Sequence, residues 1–297
     1  MRFVLAGASG FLGTAWRDHL AREGHDVVRL VRGEAMSANE STWDPYAGTA
    51  DHEVIESADV VACLSGAPLG RWPYTRAYQS KFRASRVATT GTLAKAVAES
   101  DRKPALLAQC GTAGYGDRGD QVLTEDAATD ADTFMGGVCR DWEDAARPAA
   151  EAGARVVVLR TSPVLDRSGG ALPPIKLIFQ AGLGAPVGSG RQFFPTISMH
   201  DWVRAATWLA ANEQARGPYN MSGPEPRTNA EFGRVLAAEL GRPYVFRVPG
   251  WPVEKVLGAI SSEVLGSQRI EPRRLLDEGF TFEHDTLEKR LRSALAR

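Results

Sequence analysis

Glycines at positions 7, 10 and 13 punctuate the run Gly7-Ala8-Ser9-Gly10-Phe11-Leu12-Gly13, which follows the apolar stretch Phe3-Val4-Leu5-Ala6. Each glycine has its own physical task if the run wraps a pyrophosphate. Gly7 permits the sharp exit from a strand, and Gly10 lets backbone N–H groups approach the phosphates with no side chain between. Gly13 lets the following helix pack closely on the sheet. The helix N-terminus beneath adds unpaired N–H donors and a partial positive charge. Ser9, Phe11 and Leu12 complete the loop, and Leu12, Ala15, Trp16, His19 and Leu20 are spaced as one helix face. A strand before and an amphipathic helix after are the context in which such a triplet reads as a dinucleotide site. The next apolar run ends in Val31-Arg32-Gly33. NAD-preferring sites carry a carboxylate here, about 20 residues past the loop, for the ribose hydroxyls. A guanidinium instead grips the 2′-phosphate of NADP in a bidentate pair. Arg32 therefore points to NADP(H) rather than NAD(H), with a solvated strand-end arginine as the alternative.

These residues need a frame. The chain alternates short apolar runs with helical patterns, the arrangement of a mainly parallel sheet flanked by helices. Strands are expected at Phe3–Ala6, Val27–Val31, Val60–Leu64, Leu106–Gln109 and Val156–Leu159, and long helices at Tyr74–Glu99 and Met135–Ala152. Gly24 should stop the first helix. Arg160–Pro195 is rich in Gly, Pro and Ser and reads as loops and short elements above the sheet, where α/β proteins bind ligands. Asp201 is expected to cap and start a helix, and Asn229–Leu240 to form another. Two amphipathic helices and the turn Gly279–Phe282 are expected after Val248. The expected class is α/β: a doubly wound, mainly parallel Rossmann sheet in residues 1–225 and a small mixed or helical C-terminal subdomain in residues 226–297.

The composition narrows the partners. With 35 basic and 36 acidic residues among 297, the formal charge is −1, which gives no basic excess for a nucleic acid or a membrane surface. Met1 leads almost at once into a strand pattern, so neither a signal peptide nor a spanning helix is expected, and a cytoplasmic location is. Cys63, Cys110 and Cys139 are odd in number and sit in apolar surroundings, the pattern of reduced structural thiols. Trp43, Trp72 and Trp142 read as packing residues rather than sugar-stacking platforms.

The glycine spacing resembles that of the extended short-chain dehydrogenase/reductase superfamily, and an ordered series of motifs narrows the likeness. These are Trp43-Asp44-Pro45, Leu64-Ser65-Gly66-Ala67-Pro68, Arg71-Trp72, Ser85-Arg86-Val87 and Cys139-Arg140-Asp141-Trp142-Glu143. Gly188-Ser189-Gly190-Arg191-Gln192 and Leu265-Gly266-Ser267-Gln268-Arg269 complete the series. Together they resemble the atypical branch of NAD(P)-dependent, nucleoside-diphosphate-sugar epimerase-like proteins that end in a short domain of unknown function 1731. The resemblance implies that Leu64, Ser65 and Gly66 pass beside the adenine and the nicotinamide-side ribose. It also implies that Arg86 points at the cofactor and that Val164 lies near the nicotinamide. Lys81 reads equally as a cofactor contact and as a solvated helix residue. A homodimer through the two long helices is a habit of that superfamily.

Standard members carry a Tyr and a Lys four residues apart on one helix, where the tyrosine exchanges the proton and the lysine lowers its pKa. No Tyr here is followed by Lys at that spacing; by register, Met135 and Cys139 hold the two places. The residues left for substrate polarisation and proton donation are Thr112 and Tyr115, which also read as a turn former and loop packing. His200 and Asp201 could mimic an acid–base pair, though helix capping explains Asp201 more simply. On the substrate side, Arg191 and Gln192 end a flexible loop suited to an anionic or polar ligand, and Arg269 could join them or serve as a surface contact. Two functions stay open: an NADP(H)-dependent, epimerase-like oxidoreductase of an unknown small-molecule substrate, and a non-catalytic NADP(H)-binding redox sensor. The fold cannot choose between them.

Overall fold

The computed structural model describes residues 1–71, 73–245 and 247–296, so Trp72 lies outside the described residues. In chain order the first half runs β1 Arg2–Ala6, α1 Phe11–Arg22, β2 Asp26–Val31, β3 Glu40–Thr42, α2 His52–Glu56, β4 Val60–Cys63, α3 Arg76–Glu99, β5 Ala105–Gly111, β6 Val122–Leu123, α4 Phe134–Asp144 and α5 Arg147–Glu151. The second half runs β7 Val156–Thr161, β8 Val164–Asp166, β9 Gly169–Gly170, α6 Leu172–Gln180, β10 Ile197–Ser198, α7 Met199–Ala211, β11 Gly217–Met221, α8 Asn229–Glu239, α9 Gly250–Leu257, α10 Ser262–Leu265, β12 Arg269–Ile270, α11 Arg273–Asp277 and α12 Leu287–Leu295.

Seven strands form the central sheet in the order β11-β7-β5-β4-β1-β2-β3. β1 lies parallel to β2 on one side, with Phe3 opposite Val27, and to β4 on the other, with Phe3 opposite Val60. The order therefore reverses at β1, the place where doubly wound sheets bind ligands at their carboxyl ends. β4 is buried at every position, as a parallel strand covered on both faces must be. The five expected strands are all present. β3 and β11 escape a hydrophobicity reading because Glu-Ser-Thr and Gly-Pro-Tyr-Asn-Met lack apolar runs. Pro218 is tolerated in β11 because that strand lies at the sheet edge.

Contacts divide the chain into two compact units. One comprises Met1–Cys110, Arg140–Arg160 and Ala206–Pro218; the other comprises Gly111–Cys139, Thr161–Ala205 and Tyr219–Arg297. In the first, Trp16 is fully buried against Phe3 at 5.8 Å between rings, and its indole N–H donates to Thr207 Oγ1 at 3.0 Å. Trp142 is buried as well, donating to Thr90 Oγ1 at 2.9 Å. Trp43 is likewise buried, and all three cysteines are free and buried. In the second unit Leu165, Leu172, Phe179, Phe232, Leu236 and Leu287 form a core. Arg290 of α12 is buried beside it and donates to the Thr196 carbonyl at 2.9 Å and the Glu225 carbonyl at 3.0 Å. Burial pushes its guanidinium down to about 10, which still leaves it charged at neutral pH. Gly223 is required there, because a Cβ would stand 1.6 Å from Arg290 Nη1.

Three helix expectations need correction. The helix expected over Met135–Ala152 is two helices, α4 and α5, because Pro148 lacks an N–H and its ring would strike the carbonyl four residues back. Pro173-Pro174 does not mark a loop but opens α6, since proline is tolerated in the first turn where N–H groups have no helical partner. Asp201 does not start its helix. α7 begins at Met199, and Ser198 Oγ accepts the Asp201 N–H at 3.1 Å while donating to the carboxylate at 3.3 Å. The fully buried Asp201 carboxylate accepts the N–H groups of Glu283 and His284 at 3.0 and 2.9 Å, so it anchors a loop rather than serving as half of an acid–base pair. Among the described residues no helix is long and apolar enough to cross a membrane.

Candidate functional site

The first unit holds the glycine loop, and its geometry explains each glycine. Gly7 has φ +82°, and a Cβ on it would lie 2.7 Å from the Leu64 carbonyl carbon and 2.8 Å from Ser65 N. A Cβ on Gly13 would lie 2.1 Å from the Gly7 carbonyl oxygen and 2.8 Å from Ala8 Cα. Gly10 closes the turn by donating its N–H to the Gly7 carbonyl at 2.9 Å, and it stands at the N-cap of α1 with no side-chain cap. The first turn of α1 carries no acid. Its N–H donors and partial positive charge are thus left for an anion, with Ser9 and Gly10 exposed at the tip and Phe11 and Leu12 half-buried behind them. A glycine turn packed directly on neighbouring backbone and topped by uncapped amides fits a dinucleotide pyrophosphate.

Arg32 follows β2 directly, is exposed, and makes no ion pair among the described residues. Leu64, Ser65 and Gly66 continue from β4, where the Leu64 N–H donates to the Ala6 carbonyl at 2.9 Å. Arg86 is tied to this stretch: Nη1 donates to the Ala67 carbonyl at 3.0 Å and the Phe82 carbonyl at 3.1 Å. Its guanidinium also lies over the rings of Phe82 and Trp142, at 3.4 and 4.9 Å from their centroids. Sequence reading missed this aromatic seat, although Phe82 precedes Arg86 by one helical turn. Lys81 lies exposed on α3. Cys63 is fully buried, and burial pushes its thiol up, the opposite of a reactive cysteine.

The second unit holds Thr112, Tyr115, Met135, Cys139 and Val164. Thr112 begins the turn after β5, is buried to 6 % exposure, and accepts the Tyr115 N–H on its carbonyl at 3.1 Å. Tyr115 requires correction as a proton donor. Its side chain is fully buried, and its hydroxyl donates to Asn220 Oδ1 at 2.7 Å. A phenol enclosed and committed in that way holds the turn in place rather than reaching a substrate. Asn220 Nδ2 donates to the Leu123 and Glu271 carbonyls at 3.3 and 3.0 Å, and its N–H donates to Glu125 Oε1 at 3.0 Å. Burial pushes the Glu125 carboxyl up. Sequence reading missed this network because its hydrogen bonds join residues up to 105 positions apart. Met135 and Cys139 are both buried, and the Cys139 sulfur would lie 3.4 Å from a Cβ on Gly111. An apolar thiol thus packs against the Thr112 turn at the place of the usual lysine. Val164 is buried in β8, opposite Ile197 of β10.

An open cavity of about 460 Å³ in the same unit is lined by Asp120, Ser189, Arg191, Phe193, Arg247 and Arg269, among others. Arg269 lies over the Phe193 ring at 5.4 Å, and its Nε is enclosed without a hydrogen-bond partner. Arg247, not foreseen from sequence, donates to the Ser189 carbonyl at 3.1 Å. Three guanidiniums against one carboxylate give this cavity a net positive lining. Gln192 requires correction as a substrate contact. It turns inward, donating to the Val187 carbonyl at 3.0 Å and the Val264 carbonyl at 3.4 Å and accepting from Ser189 Oγ at 3.2 Å. Its amide shapes the loop, because its hydrogen-bonding capacity is spent there.

Glu263, next to Val264 on α10, carries a carboxyl that burial alone pushes up to about 7. In the unfolded chain the same group titrates near 4.5. The folded state therefore retains a proton that the unfolded state loses, and the resulting stability, complete below pH 4.5, is lost as pH rises through about 7. The segment around α10 is expected to exchange amide hydrogens more readily at pH 8 than at pH 5, after correction for intrinsic rates. Glu263→Gln should remove that difference, and a difference that persists in the variant places its origin elsewhere.

Comparison with known proteins places these parts in context. Residues 3–135 match the model of the NAD-dependent epimerase/dehydratase family, and residues 248–294 match a domain of unknown function, DUF1731. An epimerase family protein of Mycobacterium leprae is 35% identical over 295 residues, covering 99% of this chain and 95% of that protein. The crystal structure of the human epimerase family protein SDR39U1 (isoform 2) with NADPH superposes with a TM-score of 0.89 at 32% identity, covering 99% of each chain. A nucleoside-diphosphate sugar epimerase from Corynebacterium glutamicum gives a TM-score of 0.83 at 31% identity, over 99% of this chain and 58% of that one.

Proposed function

The chain belongs to the NAD-dependent epimerase/dehydratase family, in the branch that ends in DUF1731, and from that premise we propose that it is an NADP(H)-dependent oxidoreductase or epimerase-like enzyme acting on a polar, anionic small molecule. The observation that carries the reading is the Gly7–Gly13 loop, packed too closely on neighbouring backbone to admit a Cβ at Gly7 or Gly13 and topped by the uncapped amides at Gly10. The human relative crystallised with NADPH supports the same cofactor here. Bound there, the nicotinamide would supply or accept a hydride.

The protein's own residues divide the remaining work. The amides of the Gly7–Gly13 loop bind the pyrophosphate, and Arg32 binds the 2′-phosphate. Arg86 holds the Leu64–Gly66 stretch in register through the Ala67 carbonyl. Arg191, Arg247 and Arg269 hold the anionic part of the substrate, with residues 226–297 forming its side of the site. Thr112 polarises the reacting oxygen, and water supplies the proton, because the Tyr115 hydroxyl is committed to Asn220.

The second reading, an NADP(H)-binding sensor without turnover, is favoured by one observation. Met135 and Cys139 are buried apolar groups at the places of the usual acid–base pair. Mixing the protein with NADPH and a panel of sugar nucleotides, aldehydes and quinones separates the two readings. Loss of NADPH absorbance, or an epimerised product with the cofactor returned, supports the enzyme, and tight NADPH binding with neither across the panel supports the sensor.

A further inference from the structure

Residues 250–266 are built unlike the rest of their unit. In α9, the turn Gly258–Ile260 and α10 no residue is buried as a whole, although the Glu263 carboxyl is enclosed. Trp251 and Val256 on α9 are 68% and 60% exposed. α6, α8 and α12 of the same unit each bury apolar side chains. A helical segment whose apolar residues are at most half-buried keeps part of its hydrophobic surface in water.

The two feet of the segment are fixed. At the first, the Val248 N–H donates to the Pro186 carbonyl at 3.0 Å, and the Gly188 N–H donates to the Val248 carbonyl at 2.8 Å. At the second, the buried Ser267 hydroxyl donates to the Gly119 carbonyl at 2.6 Å and accepts the Phe193 N–H at 3.0 Å. Both feet thus stand on the strap of residues 186–193, which carries Ser189 and Arg191 of the arginine cavity. Between the feet the attachment to this strap is light. Gln192 reaches the Val264 carbonyl at 3.4 Å, and a Leu265 methyl would stand 3.4 Å from a Cβ on Gly188 and 3.6 Å from one on Gly250. The strap itself turns on Gly188 and Gly190, with φ +60° and +70°. Such glycines allow backbone changes that other residues resist.

We propose that residues 250–266 are a lid, hinged at Val248 and Ser267, that closes over the arginine cavity when an anionic ligand enters, with Gln192 as the latch between strap and lid. The proposal rests on the reading of that cavity as the substrate site. An anion draws Arg191 and Arg247 inward. Arg247 is bonded to the Ser189 carbonyl and sits one residue from the first foot, so the strap and the foot move together. Closure takes Trp251 and Val256 out of water, which favours the closed state, and it excludes solvent from the ion pairs, which strengthens them. The ligand's tighter binding to the closed form is what shifts the population.

The test uses the full chain saturated with NADP(H), so that the glycine loop is occupied, with inorganic pyrophosphate as the probe, binding being read by calorimetry and lid motion by amide hydrogen exchange. Exchange across 250–266 should slow at least about fivefold at saturation. Acrylamide quenching of tryptophan fluorescence should fall in the wild type and not in Trp251→Phe. Pyrophosphate that binds without changing either readout overturns the lid and leaves the cavity reading intact. No binding heat up to about 10 mM overturns both.

Discussion

Arg32→Asp is expected to weaken NADPH binding by about 100-fold while leaving NADH within about threefold of wild type. Arg32 stands at the end of β2, exposed and without an ion pair among the described residues, so nothing in the fold depends on its charge. Its replacement removes one charge-assisted, bidentate contact, worth about 1.5–3 kcal/mol, and sets a carboxylate against the 2′-phosphate. NADH has no phosphate at that place, and the new carboxylate resembles the acid with which NAD-preferring sites bind the ribose hydroxyls. Fluorescence titration of both cofactors at fixed ionic strength measures the ratio. Raising the salt should narrow the wild-type preference, because the site is open to solvent and its charges are screened. If both cofactors bind the variant as they bind the wild type, Arg32 is a solvated strand end and the 2′-phosphate is held elsewhere.

What the sequence discloses here depends on how local the physics is. The glycine loop was legible because three constraints act within seven residues and each has one chemical solution. The same holds for β1, β4, β5 and β7, whose apolar runs follow from burial on both faces, and for β2, whose buried positions alternate with half-exposed ones. Helix ends were less legible: Pro148 and Pro173 carry opposite meanings depending on whether a first turn begins beneath them. Side-chain commitments were not legible at all. Tyr115 reads as an available phenol until Asn220, 105 residues away, accepts its hydrogen bond. Gln192 reads as a ligand group until Val264, 72 residues away, accepts its amide. Arg247 had no motif to mark it, and only the fold brings it to Ser189. The missing Tyr–Lys pair was legible as a spacing, whereas the packing of Cys139 against the Thr112 turn was not.

Gly13→Ala is expected to lower stability by about 3 kcal/mol and to weaken NADPH binding by about 100-fold or more. The added methyl meets the Gly7 carbonyl oxygen at 2.1 Å and Ala8 Cα at 2.8 Å, both backbone atoms of the loop that holds the pyrophosphate. Relief requires α1 to move away from β1 or the loop to open. Either motion takes the uncapped amides at Gly10 off their target. Alanine favours helix more than glycine does, by about 1 kcal/mol, so propensity alone predicts a gain in stability. The sign of the change therefore separates close packing from local preference. Gly33→Ala is the control: it lies beside Arg32, and an added Cβ there meets nothing within 4 Å. Its melting temperature and NADPH affinity should match the wild type. If Gly13→Ala keeps NADPH binding within about threefold of wild type, the close approach of helix and loop does not shape the cofactor site.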